Sequence, residues 1–284
     1  MVREATKVFN SNDNNVIILS VGDNFRFYKP ATKEWHEWKN IFCLLNILYS
    51  IVALNDYLYV LMENGEVHRT KYADPEPKWK RLSDMICDHG YSPSAVAMNG
   101  NNSGCIYVCG KCGSHSRSVA RYNPTNNEWQ KLKSMKIGRG GPAVVSAKGR
   151  LYCFAGFDES GYSIESGEVF DPKSSKWDFT APMPVDMEYA SAAQSNDFIY
   201  VVDGRVLLCY DINNNSWQQI SLKNQLPDSG WGFRHIVALN NEIHFIIAAE
   251  RTFSLYKFDP ETNQTEHVET DERFCCASVA VGHM

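Results

Sequence analysis

The sequence lacks several features that would assign it at once to a broad class. No stretch reaches the roughly 18–20 apolar residues that a transmembrane helix needs, and residues 1–15 are polar, without the apolar core of a secretory signal. There is no basic run, and the formal net charge is −5. Because phosphate-backbone binding depends on clustered Lys and Arg, we predict no nucleic-acid partner. We also predict no membrane partner and a cytoplasmic location, with nuclear and cytoskeletal locations as alternatives.

Signals for catalysis and metal binding are equally scarce. The nine cysteines are odd in number and show no paired spacing, which argues against a disulfide framework and suits a reducing compartment. Cys109 and Cys112 have the spacing of a zinc or redox motif, but no second Cys or His pair follows at a suitable distance. The histidines form no HExxH motif, and no Ser lies in a GxSxG turn. We therefore predict no metal, no cofactor and no catalytic residue.

The sequence does contain a repeat. An aromatic residue is followed seven positions later by Trp, and this pattern recurs every 40 to 50 residues, a period typical of β-propellers. The fifth copy lacks the usual proline, and the sixth has Thr in place of Trp. The six copies are Tyr28 to Trp35, Tyr72 to Trp79, Tyr122 to Trp129, Phe170 to Trp177, Tyr210 to Trp217 and Phe258 to Thr265.

Two short apolar runs precede each copy and are separated by a turn dipeptide. Residues 50–54 and 57–61 flank Asn55-Asp56, for example, and such dipeptides favour hairpins because they tolerate positive φ. Nearly continuous apolar runs are typical of inner strands that are covered on both faces. The third strand would end at the repeat aromatic and the fourth would begin at the Trp. The sequence therefore predicts an all-β fold with four antiparallel strands in each unit.

The ends of the chain must close the ring. We predict one domain over residues 1–284 with units at 16–48, 49–90, 91–138, 139–187, 188–230 and 231–273. Residues 274–281 resemble a first strand with no unit left to follow them, whereas residues 16–21 resemble a second strand. Because an unpaired edge exposes free N–H and C=O groups, we predict that residues 274–281 form the innermost strand of the first blade. The alternative is that residues 5–9 fill that place.

These units resemble Kelch repeats, and the resemblance covers nearly the whole chain. The Tyr-to-Trp spacing is kept, whereas the glycine pair that follows the second strand in that family is reduced, with Ala155-Gly156 the closest copy. The resemblance implies a six-bladed β-propeller. The six units are similar to the substrate-receptor domain of BTB-Kelch adaptors, in which a separate BTB module binds a cullin ubiquitin-ligase scaffold. It therefore implies that this chain binds a protein substrate and would reach a cullin only through a BTB module that this sequence does not contain.

Candidate binding residues lie in the loops. The repeat tryptophans share one phase of the repeat and so lie far apart around a ring, which predicts packing between blades rather than one ligand cage. The loops between second and third strands, and those that enter each blade, share one face, and function on such scaffolds is usually carried by loops. Tyr, Trp and Arg are enriched at binding hot spots. The predicted partner-binding residues are Tyr49, Tyr91, Arg139, Tyr162, Tyr189, Trp231, Arg234, His115, Arg117 and Arg251.

Three functions remain open from the sequence alone. In the first, Arg139 and Arg234 pair with an acidic motif of a target protein. The loop at residues 156–167 is the longest of this face, its Gly-rich ends predict mobility, and we expect it to contact the partner. The second function is a cytoskeletal scaffold such as an actin-binding propeller, which the net acidity does not favour. The third is a propeller enzyme such as a metal-dependent oxidase, whose ligands only the fold could bring together.

Overall fold

The computed structural model describes residues 6–9, 16–21, 24–29, 32–38, 48–62, 64–71, 78–86, 93–99, 104–110, 117–224, 226, 234–249 and 252–271. These residues form six four-stranded antiparallel sheets, and each sheet uses four consecutive strands of the chain. No helix occurs among them. The prediction of a six-bladed propeller with four antiparallel strands in each blade is confirmed.

The first three blades have these strands. Blade 1 comprises β1 Thr6–Phe9, β2 Val16–Val21, β3 Asn24–Lys29 and β4 Glu34–Trp38. Blade 2 comprises β5 Leu48–Leu54, β6 Tyr57–Met62, β7 Val67–Lys71 and β8 Lys80–Arg81. Blade 3 comprises β9 Ser94–Met98, β10 Cys105–Cys109, β11 Val119–Asn123 and β12 Glu128–Lys131.

The last three blades follow the same order. Blade 4 comprises β13 Ala143–Ala147, β14 Arg150–Phe154, β15 Gly167–Asp171 and β16 Lys176–Phe179. Blade 5 comprises β17 Ser191–Ser195, β18 Phe198–Val202, β19 Leu207–Asp211 and β20 Ser216–Ile220. Blade 6 comprises β21 Arg234–Leu239, β22 Glu242–Ala249, β23 Thr252–Asp259 and β24 Gln264–Asp271.

The turns have the backbone geometry that the dipeptides predict. In the first hairpins of blades 2, 4 and 5, Asn55, Lys148 and Asn196 have φ of 53°, 49° and 53°. The repeat aromatic faces the repeat Trp across the third and fourth strands, as Phe170 faces Trp177 and Tyr210 faces Trp217. The same pairing places Phe258 opposite Thr265 in blade 6. The cadence in the sequence therefore corresponds to one strand register in blades 1, 3, 4, 5 and 6, whereas Tyr72 of blade 2 lies outside the described residues.

The core lies between the blades rather than within them. Adjacent residues of an inner strand face opposite neighbours: Ile51 packs against blade 1, and Val52 packs against blade 3. This explains why the first and second strands are apolar without alternation. A hydrophobic cluster fills each of the six blade interfaces, including the one between blade 6 and blade 1.

The ring closes differently from our prediction. β1 pairs antiparallel with β2, so residues 6–9 occupy the innermost position of blade 1, and this corrects the assignment of that position to residues 274–281. The alternative that placed residues 5–9 there is the one that the structure has, and residues 274–281 lie outside the described residues. β1 contacts both β5 and β21. Trp35 also meets Phe253 of blade 6 edge-on, with ring centroids 5.3 Å apart, so side-chain packing joins the first and last blades.

Candidate functional site

The two faces of the propeller differ in what they carry. Because each blade is an antiparallel sheet of consecutive strands, the hairpins between first and second strands share a face with the turns between third and fourth strands. We call this the hairpin face. The opposite face, which we call the loop face, carries the loops between second and third strands and the linkers between blades. Most of the predicted binding residues belong to the loop face.

The repeat tryptophans connect neighbouring blades. The indole Nε1 atoms of Trp129, Trp177 and Trp217 donate to backbone carbonyl oxygens of the preceding segment, at 3.0 Å, 2.8 Å and 2.9 Å. Trp217 also meets Phe154 of blade 4 edge-on, at 4.9 Å between ring centroids. Trp79 belongs to the cluster between blades 1 and 2. These contacts are spread around the ring, so the tryptophans pack blades together and form no common ligand cage.

Arg139 is a structural residue, which corrects the prediction that it contacts a partner. Its side chain is fully buried. Its Nη1 donates to the carbonyl oxygens of Ala155 (3.0 Å) and Ser166 (2.6 Å), and its Nη2 donates to the hydroxyl of Ser166 (2.8 Å). Burial lowers the pKa of Arg139, and the nearby carboxylate of Glu168 acts in the opposite direction. No face of this guanidinium is left for an acidic motif.

Glu168 is the acidic partner of Arg139 and is equally buried, with 3.4 Å between Nη2 and Oε1. Its carboxylate also accepts the backbone N–H groups of Lys136 (2.7 Å) and Ile137 (3.0 Å). The pair therefore anchors the linker that enters blade 4. Sequence reasoning missed Glu168, although its position two residues before the repeat aromatic Phe170 was visible in the sequence.

The linker that enters blade 5 carries an unusual tyrosine. Ala143 pairs with Phe154 in blade 4 as Ser191 pairs with Val202 in blade 5, so Tyr189 occupies in blade 5 the position that Gly141 occupies in blade 4. Both residues are left-handed, with φ of 48° for Tyr189 and 60° for Gly141. Gly adopts this conformation freely, whereas a bulky side chain there is a backbone outlier. Blade 5 thus keeps the left-handed backbone conformation that Gly141 has in blade 4, but it has a tyrosine at that position, and this tyrosine is 48% exposed.

The tyrosine lies against the loop at residues 155–166 of blade 4. Its ring meets Phe157 edge-on with centroids 5.0 Å apart, and Tyr162 in the same loop is 75% exposed. The Asp158 carboxylate accepts the N–H groups of Ser160 (2.8 Å) and Tyr162 (2.9 Å), and Phe157 bridges to Gly140. A Cβ on Gly156 would lie 2.7 Å from the Gly140 carbonyl oxygen, so glycine there permits close packing. Hydrogen bonds hold this loop at both ends and Gly156 has a packing role, while the mobility of the loop stays a prediction.

Two carboxylates lie on the linker that carries Tyr189. Asp186 accepts a short hydrogen bond from the Ser163 hydroxyl, and this bond lowers the pKa of Asp186 below its ordinary value. Glu188 is exposed beside Tyr189. We call Phe157, Tyr162, Tyr189, Asp186 and Glu188 the aromatic–acidic surface. Phe157, Asp186 and Glu188 were missed from the sequence, although an alignment of the linkers places Glu188-Tyr189 where the preceding unit has Gly140-Gly141.

One arginine and a cavity border this surface. Arg205 binds Asp203 through two nitrogen atoms, at 3.0 Å and 2.6 Å, and this contact, with smaller contributions from Glu188 and Asp186, raises the pKa of Arg205. Beyond Arg205 lies an open cavity of about 550 Å³ between blades 5 and 6. Its lining includes Val206, Leu207, Ile220, Leu222, Leu226 and Phe245.

The remaining predicted residues are scattered or lie outside the description. Arg117 is exposed at the end of the corresponding loop of blade 3. Tyr49 belongs to β5 and Arg234 belongs to β21, but the description does not include their side chains. Four further predicted residues lie wholly outside the described residues: Tyr91, His115, Trp231 and Arg251. Of the predicted set, the structure therefore brings together Tyr162 and Tyr189.

The described residues offer neither a metal cluster nor a membrane-spanning helix. No group of three or more His, Cys, Asp or Glu side chains in these residues could hold a metal ion. Cys109 is a buried free cysteine at the end of β10, and Cys112 lies outside the description. The described part of the chain has no helix that is long and apolar enough to cross a membrane.

Comparisons with known proteins agree with the repeat. The Kelch motif family matches residues 92–136 and 138–184. Kelch-like protein 35 of Mus musculus is 28% identical over 157 residues, which cover 53% of this chain and 26% of that protein. Kelch repeat and BTB domain-containing protein 8 of Danio rerio is 29% identical over 150 residues, which cover 50% of this chain and 24% of that protein. The chain thus spans about a quarter of the length of these curated relatives.

A solved structure supports the fold independently. The structure of YjhT superimposes with a TM-score of 0.59 and covers 79% of this chain and 83% of its own. Its sequence identity of 15% supports the architecture alone.

Proposed function

Because this chain is a six-bladed propeller of Kelch repeats related to Kelch-like proteins, we propose that it is a protein-recognition domain that captures a target protein at its loop face. The observation that carries this proposal is Tyr189. An exposed tyrosine is held in a left-handed backbone conformation where the neighbouring blade has glycine. Strained residues of this kind persist only where the surrounding structure holds them in place, and they cluster at functional sites.

The composition of the aromatic–acidic surface supports recognition of a protein. Exposed tyrosines combine a large contact area with a hydroxyl that can hydrogen-bond, which is why they are enriched at interface hot spots. Tyr162 and Tyr189 are two of the most exposed large aromatic side chains among the described residues. Hydrogen bonds already hold the loop beneath them, and such pre-organisation would reduce the entropy lost when a partner docks.

A more specific role follows from the relatives. We propose that the captured protein is a substrate presented to a cullin ubiquitin ligase by a parent protein with a BTB module, as the resemblance to BTB-Kelch adaptors implies. The name of the Danio rerio relative combines a Kelch repeat with a BTB domain. The competing role as an actin scaffold is less favoured, because the carboxylates of this surface would repel an acidic filament.

Site-specific photocrosslinking tests the proposal. A photoreactive phenylalanine analogue replaces Tyr162 in the full chain, expressed in its native cells, and crosslinked proteins are identified by mass spectrometry. The matched control places the same analogue at Thr125, which is exposed on the hairpin face. We expect a discrete partner to be crosslinked from position 162 and absent from position 125. Identical crosslinks from both positions, or none from position 162, would contradict the proposal.

A further inference from the structure

The aromatic–acidic surface carries mainly negative charge. Asp186 and Glu188 are exposed on the linker that carries Tyr189. The one cationic side chain described at its border, Arg205, already binds Asp203 through two nitrogen atoms. The surface therefore presents carboxylates to solvent, and a docking partner meets negative charge.

Tyrosine rings next to carboxylates suit a cationic side chain. A Lys or Arg placed over the face of an aromatic ring is attracted by the ring quadrupole. A carboxylate within reach of the same cation adds a charge-assisted hydrogen bond, which arginine can make through two nitrogens. Tyr162 and Tyr189 offer rings, and Asp186 and Glu188 offer carboxylates on the linker that carries Tyr189. A single cationic side chain could satisfy both kinds of group.

We propose that the aromatic–acidic surface recognises a Lys- or Arg-rich segment of its target protein, an inference that rests on the proposed function above. The expectation of an acidic motif depended on Arg139, which is buried, and on Arg234, whose side chain lies outside the described residues. A nucleic acid is a poor partner for this surface because its phosphates would be repelled.

The adjoining cavity has a mixed lining, in which Arg205, Gln219 and Ser221 accompany aliphatic side chains, and its aliphatic part can contact an apolar residue of the same segment. It opens beside Arg205, and its lining includes Val206, Leu222 and Phe245. A segment that places cations over the tyrosines can extend past Arg205 and insert an aliphatic side chain between blades 5 and 6. Alternating basic and aliphatic residues are therefore the sequence chemistry that fits.

Fluorescence anisotropy with designed peptides tests the inference. The probe is a labelled peptide of alternating arginine and leucine, and its counterpart has glutamate in place of each arginine. We expect the full chain to bind the arginine peptide, with affinity that falls as the ionic strength is raised. Glu188→Lys should weaken this binding by about tenfold, through loss of one attraction and gain of one repulsion.

The matched control is Glu261→Lys. Glu261 is exposed on the hairpin face, so this variant changes the net charge by the same amount away from the surface. Tyr162→Ala should also weaken binding. The two variants expected to weaken binding, Glu188→Lys and Tyr162→Ala, should keep the melting temperature of the parent protein. The inference is overturned if the arginine peptide does not bind, if the glutamate peptide binds as tightly, or if Glu261→Lys weakens binding as much as Glu188→Lys. Crosslinking from position 162 is a separate measurement, so it can succeed while the basic-segment inference fails.

Discussion

Blades 4 and 5 solve the same packing problem with different chemistry. Met135 and Met183 are equivalent and both are buried, so the two linkers superimpose by sequence position. Four residues later blade 4 has the buried Arg139, whereas blade 5 has the buried Met187. Opposite them, Glu168 of blade 4 corresponds to the buried Leu208 of blade 5.

This difference shows that the space between the linker and the third strand can be filled either by a buried ion pair, as in blade 4, or by two apolar side chains, as in blade 5. Blade 5 adjusts its backbone to the apolar choice as well. Lys136, whose N–H donates to Glu168, corresponds to Pro184, which has no N–H to satisfy. In blade 4 the Arg139 guanidinium meets the Glu168 carboxylate, and in blade 5 Met187 and Leu208 belong to one hydrophobic cluster. A mixture of the two would leave a buried charge without its partner.

The largest expected effect comes from combining the Arg139 of blade 4 with the apolar partner of blade 5. Glu168→Leu should destabilise the protein by about 3–5 kcal/mol, because it leaves the buried Arg139 guanidinium without its carboxylate. Thermal denaturation followed by circular dichroism measures the loss. The control is the double variant Arg139→Met with Glu168→Leu, which copies the two buried side chains of blade 5 but keeps the N–H of Lys136, and which should recover more than half of the lost stability. A double variant no more stable than the single one would break the comparison.

The second prediction concerns the left-handed position of blade 4. Gly141→Ala should cost about 1–2 kcal/mol, because an L-residue pays that amount in the left-handed region. Chemical denaturation measures the change in the free energy of unfolding. An unchanged free energy would mean that this linker relaxes to another backbone conformation, and that the tyrosine of blade 5 is not strained by its position.

The smallest effect is expected at the equivalent position of blade 5. Tyr189→Gly relieves the left-handed backbone but removes the contact with Phe157, whereas Tyr189→Ala removes the contact and keeps the strain. The glycine variant should therefore be about 1 kcal/mol more stable than the alanine variant. Equal stability of the two variants, measured in one denaturation experiment, would show that the tyrosine backbone is unstrained.

The same two blades show what can be inferred without coordinates. Strand order and hairpins follow from local pattern, because each depends on residues close in the sequence. The Trp contacts follow from the repeat instead: each Trp has the same position in its unit, although its carbonyl partner is 36 to 46 residues away. The role of Arg139 does not, since burial of a long cationic side chain depends on Ser166 and Glu168 across the loop. Tyr162 and Tyr189 were predicted one by one, but their common surface with Asp186 depends on contacts between two segments of the chain.

Ring closure was misjudged for a related reason. Residues 274–281 read as a good first strand, and pattern alone could not show that residues 6–9 already pair with β2. Which of two strand-like segments pairs with a given sheet edge depends on three-dimensional fit, and the strand pattern does not report that fit.

That closure has a consequence for how such a ring can change. Every described sheet is one uninterrupted stretch of polypeptide, and none borrows a strand from the other end of the chain. Each blade is therefore encoded by one continuous segment, and recombination can exchange or duplicate that segment without separating strands that are hydrogen-bonded to each other. The seam between blades 6 and 1 is bridged by side chains such as Trp35 and Phe253, so the breakpoint could be moved to another linker by circular permutation with all six interfaces preserved.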